Sequence, residues 1–387
     1  MNFILFDEPI IRQHLLPFTF TRPVASIRVG IVTIKEKWEH FLQTKVSFLT
    51  EGYLQKKFPS VLADKNIFIN GAVLPNDSLL QSIGKLNAGE RLVQQNTLLA
   101  VKTYHTNPFE ESLKSVDFQE SFQAITQLWD IFLSNGEQIN ADFQWITAGR
   151  TSELITDSHT KIYKPEAIFV EAGVEIRASI LNAENGVIYL GKNATIQENS
   201  VIRSNFAMLE GSSLSMGAKM RGDITLGPYC KVGGEVSNSI LFANSNKSHE
   251  GYLGNSVLGE WCNLGADTNT SNMKNDYGNI KIWNYPAQDF KTTGRQFCGT
   301  MMGDHSKAGI NTMFNTGTVV GVNCNVFGGG FPPKYIPSFS WGGADCFEQY
   351  GLEKALEVAS RMMQRRGETL EETDKEILRY LFQKENQ

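Results

Sequence analysis

A period of six runs through LGKNATIQENSVIRSNFAMLEGSSLSMGAKMRGDITLGPYCKV, which is residues 190–232. Every sixth residue of this stretch is apolar: Leu190, Ile196, Ile202, Met208, Leu214, Met220, Leu226 and Val232. A β-strand alternates with period two and an α-helix with period 3.6, so a strict period of six indicates one short strand and one turn per repeat. Three such repeats make one coil, and the sequence therefore predicts a parallel β-helix.

The same period continues on both sides of this stretch. Further apolar or small residues fall in it at Ile168, Val174, Ile180, Leu258, Leu264, Thr270, Met302, Ala308, Phe314, Val320 and Val326. We therefore place the β-helix domain at residues 165–340. The phase breaks at residues 182–186, 245–251 and 275–300. These breaks mark residues that leave the coil, and the last is long enough to predict a functional excursion.

The flanking segments have a different pattern. Residues 1–150 read as an α/β domain, with apolar runs at Phe3–Phe6, Val29–Ile34, Ile67–Ile69 and Leu98–Val101 that predict strands. A helical apolar face at residues 121–133, followed by a stop at residues 134–136, predicts a helix that bridges the domains. Residues 345–387 predict two amphipathic helices that cover the open end of the β-helix.

Charge and cysteine content restrict the class of protein. The net charge of -5 comes from interspersed charges of both signs, which favours neither nucleic acid nor a membrane surface as partner. Met1–Phe6 is too short for the apolar core of a signal peptide, and no stretch is long and apolar enough to span a bilayer. The five cysteines lack CxxC spacing, so we expect a cytoplasmic protein without a metal site.

The segment NKSHEGYLGNSVLGEWCNLGADTNTSN, residues 246–272, resembles a known family. That family is the acetyltransferase half of the bifunctional enzyme that makes UDP-N-acetylglucosamine, the GlmU-like family, with its archaeal sugar-1-phosphate relatives. The matching residues are His249, Tyr252, Leu253, Gly254, Asn263, Leu264, Gly265, Ala266, Thr268 and Asn272. With LLPFTFTRPVASIRVG (residues 15–30) and PKYIPSFSWGG (residues 333–343), nearly the whole chain resembles the bacteroidete-type sugar nucleotidyltransferase variant of this family.

The resemblance implies a left-handed β-helix, a homotrimer and acyl transfer from acetyl-CoA to an amino-sugar phosphate or nucleotide sugar. Removing a proton from an amine near neutral pH suits an imidazole, so His249 is the predicted base. Tyr252, Asn263 and Asn272 are predicted to bind and orient the substrate. Alternatively, His249 is an ordinary loop histidine and the two asparagines serve the turns of the β-helix.

Three residues are predicted to meet the coenzyme or the phosphates of the substrate: Ala266, Lys307 and Lys334. The alternative for the two lysines is a solvated surface position. Asp267 stands where the family has its second glycine, and its carboxylate would narrow the path of the coenzyme.

The first domain resembles sugar nucleotidyltransferases but departs from them at three places. The segment LPFTFTRP, residues 16–23, matches, yet Val24 replaces the lysine expected next. FDEPIIRQH, residues 6–14, replaces the glycine-rich phosphate loop, and Ala72 replaces the metal-binding Asp. Mg²⁺ is therefore expected only if this domain is active. Arg22 is the predicted anion-binding, substrate-binding residue; otherwise it forms an ordinary ion pair.

Three other functions stay open at this point. The first is sugar-1-phosphate nucleotidyl transfer by the first domain. The second is a zinc lyase, which needs three histidines at a trimer interface, whereas only His249 and His305 lie in the repeats. The third is a non-catalytic trimer that binds a sugar nucleotide.

Overall fold

The computed structural model describes residues 2–110 and 112–385. The chain divides into two compact units. The first comprises Met1–Ile27 with Val32–Asp130, and the second comprises Arg28–Ile31 with Ile131–Gln387. Each unit contains one of the two predicted fold types, an α/β domain and a β-helix.

The first unit is built on a six-stranded sheet with the order β2-β1-β3-β6-β5-β7. Its strands are β1 (Asn2–Phe6), β2 (Ser47–Leu49), β3 (Asn66–Asn70), β4 (Val73–Leu74), β5 (Glu90–Gln94), β6 (Thr97–Thr103), β7 (Lys114–Asp117) and β8 (Gln123–Ala124), of which β4 and β8 form a separate pair. Its helices are α1 (Pro9–His14), α2 (Ile34–Leu42) and α3 (Asp77–Lys85), with short 3₁₀ turns at Phe18–Phe20, Val24–Ser26 and Gly52–Leu54.

Strand β1 pairs in parallel with both β2 and β3, whereas β6 pairs antiparallel with β3 and β5. Buried apolar residues from several strands form one core beneath this sheet, among them Ile4, Phe68 and Val101. The predicted α/β class of the first domain is confirmed.

Two elements differ from the prediction. Residues 29–34 form no strand, because helix α2 begins at Ile34 with a capping box between Thr33 and Glu36. The predicted stop at residues 134–136 is also wrong, since α4 (Leu128–Thr147) runs through it. Gly136 is there for close packing: a Cβ added to it would lie 2.2 Å from Oδ1 of Asp223.

The second unit is a parallel β-helix, as predicted, with three faces. Face I contains Ile168–Val170, Ile188–Leu190, Phe206–Met208, Ile224–Leu226, Ile240–Leu241, Val257–Leu258, Met301–Met302, Val319–Val320 and Tyr335–Ile336. Face II contains Glu175–Ile176, Thr195–Ile196, Ser213–Leu214, Lys231–Val232, Asn246–Lys247, Asn263–Leu264, Lys307–Ala308, Asn325–Val326, Ser340–Gly342 and Phe347–Gln349. Face III contains Lys161–Tyr163, Ile180–Asn182, Val201–Arg203, Lys219–Met220, Glu235–Ser237 and Tyr252–Gly254, followed by the pair Asn269–Thr270 and Met313–Phe314.

The period of six produces this architecture because every sixth residue occupies an equivalent inward-pointing position on the next face of the coil. On face II, the second residues of successive strands stack in register, for example Leu214 on Val232. Corner residues of the coils adopt left-handed backbone, and asparagine tolerates this conformation, as at Asn193 with φ 54°.

The predicted excursion leaves the coil as an antiparallel hairpin of Lys281–Asn284 and Asp289–Thr292. After the last coil come two helices, α5 (Leu352–Gln364) and α6 (Glu372–Glu385), as predicted. Phe382 of α6 packs edge-on against Phe339 of the last coil, with ring centroids 5.1 Å apart. Within residues 2–110 and 112–385, no helix is both long and apolar enough to cross a membrane.

Candidate active site

Polar and cationic side chains form a ladder on the outer surface of face II. The register pairs Lys231 with Asn246, Asn246 with Asn263, and Asn263 with Lys307. Each is the first residue of its strand, and because successive side chains point to opposite faces, these four point outward while their neighbours fill the coil. Neighbouring strands lie about 4.8 Å apart, so the ladder spans about 14 Å.

Helix α5 lies beside this ladder and closes a cleft of about 850 Å³. The helix buries Ala355, Leu356, Ala359 and Met363 against the rest of the unit. Val358, Arg361 and Met362 line the cleft from one side of the helix, since they lie three or four residues apart along it. Arg365 and Arg366, which directly follow the helix, line the cleft as well. The cleft therefore has a β-helix floor and a helical wall.

His249 lies at one end of this cleft, at the corner where the chain passes from face II to face III. The corner follows the strand Asn246–Lys247 and precedes Tyr252–Gly254. The side chain of His249 is exposed and lines the cleft together with Ser248, Gly265, Ala266 and Ile310. The structure thus brings together four of the predicted site residues: His249, Asn263, Ala266 and Lys307.

The cleft is strongly cationic. Lys231, Lys307, Arg361 of α5 and the two arginines that follow this helix line it, and none of the described lining residues is acidic. Burial lowers the pKa of Lys307 to about 8, because a low-dielectric environment disfavours the ammonium. Its Nζ donates to the carbonyl oxygen of His305 at 2.7 Å. Such a set of cations suits a ligand that carries several phosphates.

Arg366 anchors the helical wall to the floor. Its guanidinium donates to the carbonyl oxygen of Tyr229 at 2.6 Å and to Oδ1 of Asn246 at 2.7 Å. Arg361 pairs with Glu357 of the same helix, while Arg365 is exposed. Arg366 thus holds the wall in place, and Arg361 and Arg365 are placed to meet a ligand.

Tyr252 and Asn272 meet each other on the face III side of the same corner. Nδ2 of Asn272 donates to the Tyr252 hydroxyl at 3.0 Å and to Oδ1 of Asn255 at 2.7 Å. The backbone amide of Tyr252 donates to Oδ1 of Asn269 at 2.8 Å. Burial raises the pKa of Tyr252, so its hydroxyl stays protonated near neutral pH. Neither Tyr252 nor Asn272 lines the cleft itself.

Lys334 lies in a different cavity, of about 720 Å³, beside the hairpin of the excursion. Its Nζ donates to the carbonyl oxygen of Lys281 at 2.8 Å and lies 5.9 Å from the ring centroid of Phe290. Trp283 and Tyr335 stack in the same cavity with centroids 4.1 Å apart. The structure therefore does not bring Lys334 to Lys307 within one chain.

In the first unit, the segment that replaces the phosphate loop is ordered into helix α1. The carboxylate of Glu8 caps this helix by accepting from the amide of Ile11 at 2.7 Å. Arg12 is buried and forms an ion pair with Asp7 at 3.3 Å. Arg22, Val24 and Ala72 are buried as well. The N-terminus of this helix is therefore already capped by a carboxylate of the protein, and no flexible loop is present here to bind a triphosphate.

Sequence reasoning missed several residues of the cleft: Lys231, Asn246, Arg361, Arg365 and Arg366. The amphipathic pattern of α5 predicted the helix, but nothing in the pattern indicated which surface its arginines would face. Lys231 carried a usable signal, because it precedes the repeat residue Val232 as Asn263 precedes Leu264 and Lys307 precedes Ala308. Asn246 lies in the phase break at residues 245–251 and carried no such signal.

No group of three or more His, Cys, Asp or Glu side chains that could hold a metal ion occurs in the part of the chain that the structure describes. The described residues of a single chain therefore do not form the three-histidine site that a zinc lyase needs. Ala72, at the position of the expected metal ligand, offers no side-chain oxygen to Mg²⁺.

Residues 3–151 match the family model described as sugar nucleotidyl transferase. Over 379 residues the chain is 22% identical to the bifunctional sugar-1-phosphate nucleotidylyltransferase/acetyltransferase of Sulfurisphaera tokodaii, an alignment that covers 82% of this chain and 94% of that protein. The chain is thus similar to GlmU-type bifunctional proteins. This confirms the resemblance inferred from the sequence motifs.

Two proteins named bifunctional protein GlmU illustrate how far this likeness extends. That of Methanocaldococcus jannaschii is 32% identical over 127 residues, which cover 33% of this chain and 26% of the relative. That of Synechococcus elongatus is 25% identical over 232 residues, which cover 54% of this chain and 44% of the relative. The GlmU-like chain thus spans less than half the length of these relatives.

Proposed function

We propose that this GlmU-like chain is an acyl-CoA-dependent acyltransferase that acetylates the amine of an amino-sugar phosphate or nucleotide sugar, with His249 as general base. The observation that carries the proposal is the place of His249. It lines the cationic cleft and lies three residues before Tyr252, which is joined to Asn272 on the next face. A base at this corner has a site for a phosphorylated donor on one side and polar groups for an acceptor on the other.

The chemistry of the cleft fits a coenzyme that carries phosphates. Lys231, Lys307, Arg361 and Arg365 would hold these phosphates, and Ala266 at the corner leaves room for the acyl end. A ladder of about 14 Å accommodates an extended ligand. Asp267, next to Ala266, is not among the lining residues. The thioester, when bound, supplies the activated acyl group.

The residues of the corner would prepare the acceptor for attack. Asn263, Tyr252 and Asn272 orient the sugar through hydrogen bonds. His249, in its neutral form, removes one proton from the amine nitrogen as that nitrogen forms its bond to the acyl carbon. The carbon–sulfur bond of the thioester then breaks, and the departing thiolate takes the proton from the imidazolium and is released as the thiol.

We also propose a homotrimer, in keeping with the resemblance. Lys334 occupies a separate cavity in its own chain, so a role for Lys334 at the same ligand requires a second copy. The small molecule that this protein is proposed to bind as acceptor is a sugar phosphate or nucleotide sugar.

The test is thioester consumption by the purified protein with a panel of amino-sugar phosphates, nucleotide amino sugars and acyl-CoA donors. The proposal predicts turnover with at least one pair and no consumption without acceptor. Consumption at background level with every pair would overturn it. Calorimetric binding of a sugar nucleotide without any turnover would instead favour a non-catalytic binding protein.

A second candidate is sugar-1-phosphate nucleotidyl transfer by the first unit, which the family match to residues 3–151 favours. In this candidate Arg22 binds the anionic substrate. The residues present do not fit the usual magnesium chemistry, since Ala72 provides no ligand and Val24 no cation. We therefore place this activity second.

A further inference from the structure

We propose that Lys247 is a positioning residue for His249: its buried ammonium holds the carbonyl oxygen of His249 and thereby fixes the corner from which the imidazole projects into the cleft. The catalytic part of this inference rests on the function proposed above. The structural part stands on contacts within the β-helix alone.

Lys247 occupies a position that the fold reserves for apolar side chains. In the inward stack of face II, Leu214 pairs with Val232 and Val232 pairs with Lys247. Lys247 is 1% exposed, like its apolar neighbours. Burying an ammonium costs free energy unless hydrogen bonds compensate it. Stability alone would favour an aliphatic residue here, so the lysine needs another explanation.

Two backbone carbonyl oxygens hold the ammonium of Lys247 by hydrogen bonds. Nζ of Lys247 donates to the carbonyl oxygen of Gly233 at 3.1 Å and to that of His249 at 2.9 Å. The corner of the preceding coil consists of Gly233 and Gly234, and a Cβ added to Gly234 would lie 2.8 Å from Nζ. The absence of a side chain at Gly234 thus leaves the space that the ammonium occupies.

The carbonyl oxygen of His249 has a different kind of hydrogen-bond donor from those of Glu250 and Gly251, the next two residues of the corner. The carbonyl oxygen of Glu250 accepts from the backbone amide of Asp267 at 3.0 Å, and that of Gly251 accepts from the amide of Glu235 at 3.2 Å. The carbonyl of His249 accepts from a side chain instead. Loss of the ammonium therefore releases the residue that carries the proposed base, while its neighbours stay bound to adjacent coils.

The charges around Lys247 are compatible with an ammonium near neutral pH. Burial lowers the pKa of Lys247 to about 8, with Lys219 acting in the same direction and the carboxylates of Glu250 and Asp267 opposing it. Lys247 is not among the residues that line the cleft. It therefore acts on a ligand only through His249.

Lys247→Met tests this inference, because methionine fills the same space without an N–H donor. Leu214→Met is the matched control in the same stack. We expect both variants to keep the melting temperature of the parent or exceed it. In crystal structures, only Lys247→Met should displace His249 and its corner. A displacement of about 1 Å is enough to lower kcat by ten- to a hundred-fold, with KM for the acyl-CoA unchanged.

Each other result contradicts the inference. If the corner and His249 keep their positions in Lys247→Met, the ammonium does not fix them. If they move while kcat stays within twofold of the parent, their position does not matter to the reaction. If Leu214→Met lowers kcat equally, the effect belongs to the stack and not to the ammonium. Should the parent transfer no acyl group at all, the proposed function fails separately, and the two crystal structures still decide whether Lys247 holds the corner.

Discussion

Oδ1 of Asp7 accepts a hydrogen bond from the backbone amide of Val24 at 2.8 Å. Two of the three places that depart from the nucleotidyltransferase pattern are thus joined by a hydrogen bond. Asp7 also accepts from the Thr50 hydroxyl and forms an ion pair with Arg12. Burial raises the pKa of Asp7 to about 6. The Asp7 carboxylate thus has its partners inside the first unit, and these contacts order the segment that would otherwise form a flexible loop around a triphosphate.

The first prediction concerns this unit. We expect no release of pyrophosphate at an enzymatic rate from UTP or another nucleoside triphosphate with a sugar-1-phosphate and Mg²⁺, because the loop, the lysine and the metal ligand are replaced. A coupled pyrophosphate assay measures it. Robust magnesium-dependent turnover would show that other residues perform the chemistry.

The β-helix could be predicted from the sequence because it is encoded by a short pattern that repeats along the chain. The apolar residue at every sixth position and the small residues at the corners act within one coil, so no distant partner is needed. Val29–Ile34 shows the opposite case. Its apolar run suggests a strand, but the capping box of Thr33 and Glu36 starts a helix at Ile34.

The second prediction concerns the pH dependence of ligand binding. The pKa of Lys307 is lowered to about 8, so its positive charge is present below this pH and lost as the pH rises through it. We expect the affinity for acetyl-CoA, measured by calorimetry without acceptor, to fall between pH 7 and 9. Lys307→Met should weaken binding at pH 7 and flatten this dependence. An unchanged pH dependence in the variant would remove Lys307 from the phosphate site.

The third prediction concerns the helical wall. Arg365→Gln should raise KM for the acyl-CoA by about tenfold, the value of one charge-assisted hydrogen bond, with a smaller effect at high salt. Arg203→Gln removes the same charge from an exposed position outside the cleft and should leave this KM unchanged. Equal effects of the two substitutions would indicate a general charge effect and not a contact in the cleft.

The fourth prediction is a homotrimer. Light scattering coupled to size-exclusion chromatography should give three times the mass of the 43.2 kDa chain. A monomer at all concentrations tested would exclude a site shared between copies, and Lys334 would then have no part in the chemistry of the cleft.

The candidate site could be predicted only in part. His249, Asn263, Ala266 and Lys307 follow from the motif and the repeat register, and they do meet in one cleft. The arginines of α5 and its C-terminal turn lie far from these four residues along the chain, and a helical pattern does not specify which surface the helix contacts. The proposed role of Lys247 could not be predicted for a different reason. It depends on one hydrogen bond to the backbone carbonyl of His249, and such a bond produces no recognisable residue spacing in the sequence.

The role of His249 as general base is tested by comparing the turnover of His249→Ala with that of His159→Ala, with an acceptor and acyl donor that the parent uses. His159 is also exposed but lies outside the cleft. We predict that His249→Ala lowers turnover by about a hundred-fold or more, as expected for loss of a general base, with mass and melting temperature unchanged. His159→Ala should retain full activity. Full activity of His249→Ala would show that His249 is not the base of the reaction.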